Sequence, residues 1–299
     1  MREPDYGPHE GLVAPVRPNT APWRLIAGMA IIVGVVVGLN SLTYSTLRQL
    51  APEFWHDELA FAPVQGGTPA SMMILLGSFG FLIVGVSMAV RLTQHRAPLT
   101  VIGPLAQAWA QFWQVSRVLA VLGVVIVVLP PWDMGDALVA NMGFSRWLVL
   151  LPLSLLVVLI QTGAEEFLFR GYFQQSLAAR FSSPLIWMGV PSALFALGHY
   201  MPQEAGDNAA WIALWAFLFG CLSADLTARA GTLGPAIAMH LFNNVTALLF
   251  VAMPGALSGL ALYLLPFTIG DSDPVRIMLA IDFAMMLVTW LAARLALKR

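Results

Sequence analysis

Long apolar runs alternate along this chain with short proline-rich or charged breaks. A bilayer-crossing helix needs about 20 mostly apolar residues. Eight stretches meet that requirement, near 24–43, 70–91, 112–130, 146–179, 184–200, 209–226, 232–252 and 276–297. The breaks include Ala51-Pro52-Glu53, Pro130-Pro131-Trp132-Asp133, Ser182-Ser183-Pro184 and Gly270-Asp271-Ser272-Asp273-Pro274, which stop helices by their φ restriction and polarity. The pattern predicts an all-α polytopic membrane bundle of about eight transmembrane helices. The fourth stretch is too long for one crossing and is expected to protrude. Residues 1–21 are polar, hold four prolines (Pro4, Pro8, Pro15, Pro18) and have no apolar core, so they read as a disordered cytoplasmic tail rather than a cleavable signal. Residues 22–145 then form N-terminal transmembrane helices and 146–299 a core with C-terminal helices.

Composition agrees with a membrane setting. Of 299 residues 59% are hydrophobic and 10% charged, and mean hydropathy is +0.77; soluble domains carry about 25% charged residues. With a net charge of −1 and no basic stripe, a nucleic-acid partner is not expected. The single cysteine, Cys221, lies in an apolar run and reads as a small hydrophobe. His56-Asp57-Glu58-Leu59 resembles a retention signal, but its internal position removes that meaning. Gly34 and Gly38 make a GxxxG helix-contact match, which leaves the oligomeric state open.

Arginine and lysine placement predicts orientation. With the N-terminus inside, twelve basic residues fall inside: Arg2, Arg17, Arg24, Arg91, Arg96, Arg117, Arg170, Arg180, Arg229, Arg294, Lys298 and Arg299. Arg48, Arg146 and Arg276 fall outside. Both termini are therefore expected in the cytoplasm. Trp23, Trp113, Trp132 and Trp147 sit near predicted span ends, as in interfacial aromatic belts.

Few strongly polar side chains enter the apolar runs. They are Glu165, Glu166 and Arg170 on the fourth, His199 at the end of the fifth, and His240 and Asn244 on the seventh. Charges at membrane depth are expensive, and such residues are paired or functional. Glu166 and Arg170 are i and i+4, so they share a helix face and are expected to pair. Glu165 is then left facing the interior without a local cation, placed to act as a general base. His240 and Asn244 are also i and i+4 and can enter one cavity. Counted from the turn near 179–184, Glu165 and His199 lie at matching depth. This polar pattern suits a catalytic site or an ion-handling one, and does not choose between them.

At these residues the chain resembles a known family. Glu165-Glu166-Phe-Leu-Phe-Arg170 is similar to the EExxxR motif of the CAAX prenyl protease type II and bacteriocin-processing (CPBP, or Abi) intramembrane proteases. Phe195-Ala-Leu-Gly-His199 is similar to its FxxxH motif and His240-Leu-Phe-Asn-Asn244 to its HxxxN motif. The resemblance covers about a third of the chain. It implies an endopeptidase in which Glu165, helped by His199, activates water, while His240 and Asn244 stabilise the oxyanion. Glu166, Arg170 and Phe195 would support them. One carboxylate and two imidazoles, here Glu165, His199 and His240, are also the ligand set of many zinc sites. A divalent metal such as Zn2+ is thus a candidate cofactor, beside a metal-free glutamate mechanism. The implied partners are the lipid bilayer and a peptide or membrane-anchored protein substrate, prenylated or not, in a bacterial inner membrane. A non-catalytic scaffold or immunity protein on the same fold, or an ion-coupled transporter, are the alternatives.

Overall fold

A computed structural model describes residues 5–59, 66–128 and 138–298. Arg2, Pro4, the break at 130–133, Asp136 and Arg299 lie outside the described residues. Each apolar stretch forms a helix: α1 Pro22–Leu50, α2 Pro69–Thr93, α3 Leu105–Val128, α4 Phe144–Ala178, α5 Pro184–Leu197, α6 Pro202–Ala230, α7 Gly234–Val245 and α8 Ser272–Leu297. Among the described residues, six of these are long and apolar enough to cross a membrane. The chain is an integral membrane protein, a polytopic all-α bundle.

Of the eight expected stretches, six form helices of full spanning length and two, α5 and α7, form shorter ones. At a rise of about 1.5 Å per residue, the 12 residues of α7 reach about 18 Å, well under a hydrocarbon core of about 30 Å. The apolar run continues past α7, but it unwinds through a π-helical turn, Thr246–Phe250, into a strand, Val251–Ala252. Hydropathy counts apolar residues whatever their backbone, so it overstated the seventh span. α5 is shortened by turn residues 198–199 in the same way.

The strand pieces close one end of the bundle. β1 Val139–Ala140 pairs antiparallel with β3 Tyr263–Leu264, and β2 Val251–Ala252 pairs parallel with β3. Asn141 ties this cap together, donating from Nδ2 to the carbonyls of Ser258 (2.9 Å) and Ala261 (2.8 Å). The Trp147 indole at the start of α4 donates to the Leu249 carbonyl at 2.8 Å, which fixes the end of α7 against α4.

Residues 5–19 are not a loose tail. Pro8 and Pro15 stand in the first turn of short helical segments, where a missing N–H costs nothing. Leu12, Val13 and Val16 are buried. Tyr6 donates to Asp225 Oδ1 at 2.9 Å, and Asp225 also binds Arg229 and the Trp290 indole. His9 stacks on Trp187 at 4.8 Å. The expectation of disorder counted prolines and polar residues and missed this short apolar stripe.

α3, α6, α7 and α8 pack around one apolar cluster that includes Leu119, Phe219, Met239 and Met286. Close approach there needs small residues. A Cβ on Gly234 would overlap the backbone carbonyl of Ala108, so α7 can lie against α3 only with glycine at its first position. A Cβ on Gly220 would press on Ser192, at 2.8 Å, where α6 meets α5.

Candidate functional site

α4 carries the two glutamates at the point where its backbone loosens. Glu166 ends the α-helical part and Phe167–Phe173 form a π-helical turn; such turns recur at functional sites because they displace side chains from a regular helix face. Glu166 and Arg170 are both buried, and Arg170 Nη1 lies 3.2 Å from Glu166 Oε1. This is the pairing that their spacing predicts. Arg170 is fixed further by a 3.1 Å hydrogen bond from Nη2 to the Gly220 carbonyl. Its guanidinium also lies 5.1 Å from the centre of the Phe195 ring.

His240 joins both carboxylates, which sequence spacing within one helix did not reveal. Its Nδ1 is 2.8 Å from Glu166 Oε1. An ionised carboxylate only accepts, so Nδ1 carries the proton of this bond. Nε2 faces Glu165 Oε2 at 3.4 Å, an ion-pair distance. The two are not aligned as a hydrogen bond, and Oε2 has no hydrogen-bond partner among the described residues. Glu165 Oε2 is thus uncommitted, while Glu166 Oε1 is bonded to His240 Nδ1 and lies at ion-pair distance from Arg170.

His199 lies just beyond α5, partly buried, with Nδ1 2.9 Å from the Phe195 carbonyl. That carbonyl fixes Nδ1 as the protonated nitrogen and leaves Nε2 as the acceptor. Phe195 touches both imidazoles, its ring centre 4.4 Å from that of His199 and 6.0 Å from that of His240. His240 is also held edge-on by Phe219 at 5.0 Å.

Asn244 donates from Nδ2 to Gln161 Oε1 at 2.7 Å, and its Oδ1 accepts from Asn243 at 3.2 Å. Gln161 was not singled out from the sequence. It is buried, and it stands one turn before Glu165 on α4. That i, i+4 relation in an apolar helix was the signal that marks it. With its oxygen and one amide proton engaged, Asn244 has one N–H left to offer.

Glu165, Glu166, His240, Asn244, Gln161 and, beside the Phe195 ring, His199 thus form one polar seam between α4, α5 and α7, buried at Gln161, Glu166 and His240 and partly buried at the rest. Residues 146–246 match the family model described as type II CAAX prenyl endopeptidase Rce1-like. The match spans about a third of the chain, so this segment is similar to that family's domain. The match covers all three motifs. The uncharacterized protein YyaK of Bacillus subtilis (strain 168) is 25% identical over 257 residues, covering 83% of this chain and 84% of YyaK. No solved structure matches. The description of that model is an endopeptidase, and the segment that resembles it lies inside a membrane bundle.

A metal site needs ligands gathered around one point. Among the described residues, no three His, Cys, Asp or Glu side chains are grouped in that way. Within the expected set, Nε2 of His240 faces Glu165, while the His199 ring lies against Phe195.

Proposed function

We propose that this protein is an intramembrane endopeptidase that hydrolyses a peptide bond in a membrane-associated substrate through a water activated by Glu165. The Glu165–His240 pair carries the proposal: a partly buried carboxylate whose Oε2 has no hydrogen-bond partner among the described residues, 3.4 Å from an imidazole nitrogen. Glu165 takes one proton from water, and the hydroxide adds to the carbonyl carbon. The remaining Asn244 N–H stabilises the resulting oxyanion. The proton then passes from Glu165, with His240 beside it as relay, to the leaving nitrogen, and the C–N bond breaks. Glu166 orients His240 through Nδ1, as an acceptor behind a working imidazole does.

Substrates of this class are prenylated CAAX peptides, leader peptides or membrane-protein tails. The orientation that suits them puts the arginine-rich end of the bundle in the cytoplasm. The decisive experiment is cleavage of a quenched fluorescent peptide panel, including a farnesylated CAAX peptide, by wild type and Glu165→Ala side by side. Cleavage by wild type and none by a folded Glu165→Ala is expected. Equal cleavage by both would remove Glu165 from the mechanism, and cleavage by neither would favour a scaffold. A chelator arm on the active enzyme tests for a metal.

A further inference from the structure

A second cavity lies away from the catalytic seam, at the start of α1. Its volume is about 390 Å³, within the roughly 300–1,000 Å³ of small-molecule sites. The floor and walls are apolar and come from Leu25 and Ile26 on α1 and Tyr172 and Leu177 on α4. Neutral polar residues such as Asn19, Gln94 and Ser176 share the lining with two arginines, Arg24 and Arg180, and no acidic residue does.

Their charge is not neutralised within the fold. Arg17 pairs with Glu10 and Arg229 with Asp225 at the same end of the bundle. Arg24 instead donates to the Thr93 carbonyl at 2.6 Å and contacts His95 Nε2 at 3.1 Å. Arg180 donates to the Thr20 carbonyl at 3.2 Å. Neither has a carboxylate within ion-pair distance among the described residues. These neutral acceptors hold the guanidinium groups in place and leave further N–H groups for an anion.

Position identifies the kind of anion. α1 is long and apolar enough to cross a membrane, and the cavity is at its first two turns. Ile26 lines the cavity and is nevertheless 67% exposed, so the cavity opens along the flank of α1 that lipid covers. Trp23, beside it, is 60% exposed, as expected of a tryptophan at the membrane–water boundary. We infer that this cavity binds the headgroup of an anionic phospholipid, its phosphate between Arg24 and Arg180 and its upper acyl segment along Leu25 and Ile26. The site is independent of the proposed protease chemistry, although Tyr172 and Leu177 belong to the helix that carries Glu165.

The test is native mass spectrometry of the purified full-length protein in neutral detergent, titrated separately with phosphatidylglycerol, phosphatidylcholine and inorganic phosphate. Wild type should retain phosphatidylglycerol in preference to phosphatidylcholine and should bind inorganic phosphate far more weakly. Arg24→Gln with Arg180→Gln should lower phosphatidylglycerol affinity at least about tenfold, the loss of roughly one charge-assisted contact. Arg180→Gln alone is measured as well, because its bond to Thr20 is at the surface and the fold survives its loss; a severalfold drop is expected. Undiminished binding in the folded variants, equal retention of phosphatidylcholine, or inorganic phosphate binding as tightly as the lipid would each overturn the assignment.

Discussion

Glu166 Oε1 is shared by Arg170 and His240, so one atom couples the stability of the seam to its chemistry. Removing the guanidinium strands a buried carboxylate, and breaking a buried pair costs about 3–5 kcal/mol. Arg170→Ala should therefore lower the melting temperature in detergent and lose activity with it; a variant as stable as wild type would show that the pair is not structural. Gln161 acts differently, because it touches Asn244 rather than a charge. Gln161→Ala should leave the protein folded and reduce kcat about tenfold with little change in KM, as expected for a loosened oxyanion donor. Steady-state kinetics on the cleaved peptide measure this. The Glu166–Arg170 contact was legible in the sequence because both residues are on one helix, and spacing alone decides such contacts. Glu166 to His240 and Gln161 to Asn244 were not, because they depend on how α4 and α7 are rotated toward each other, which one sequence does not specify.

At the scale of elements, every apolar stretch became a helix, and the errors were in length. Backbone geometry ended α5 and α7 early while side chains stayed apolar, so hydropathy could not see the ends. Glycine at the α3–α7 contact is the corresponding energetic detail. Gly234→Ala would push α7 away from the Ala108 carbonyl, a backbone atom that cannot swing aside. Overpacking of this kind costs about 1–3 kcal/mol. Because α7 carries His240 and Asn244, activity should fall further than the stability loss explains. Comparing the melting temperature with kcat/KM for Gly234→Ala measures both.

At the scale of the whole molecule, the segment 5–19 fastens helices that are distant in the chain. Burial holds the His9 imidazole well below its usual 6.5, at about 4, with the nearby Glu10 carboxylate opposing this weakly. Gln174 and Trp187 are the other groups around it. In the undocked segment His9 would titrate normally. Docking is thus fully favoured above pH 6.5 and is weakened progressively as pH falls toward about 4, because protonation favours the undocked form. Hydrogen exchange of residues 5–19, corrected for its intrinsic pH dependence, should be faster at pH 5 than at pH 7.5. His9→Asn should remove most of that difference.

The brevity of α5 bears on the surrounding lipid, because Leu185, Val190, Leu194 and Leu197 leave its outer face exposed, whereas α7 is enclosed by its neighbours. Beside a helix that reaches only part of the way across, acyl chains shorten, tilt or give way to water. For the proposed hydrolysis, that flank is the approach to the seam that crosses the least oil.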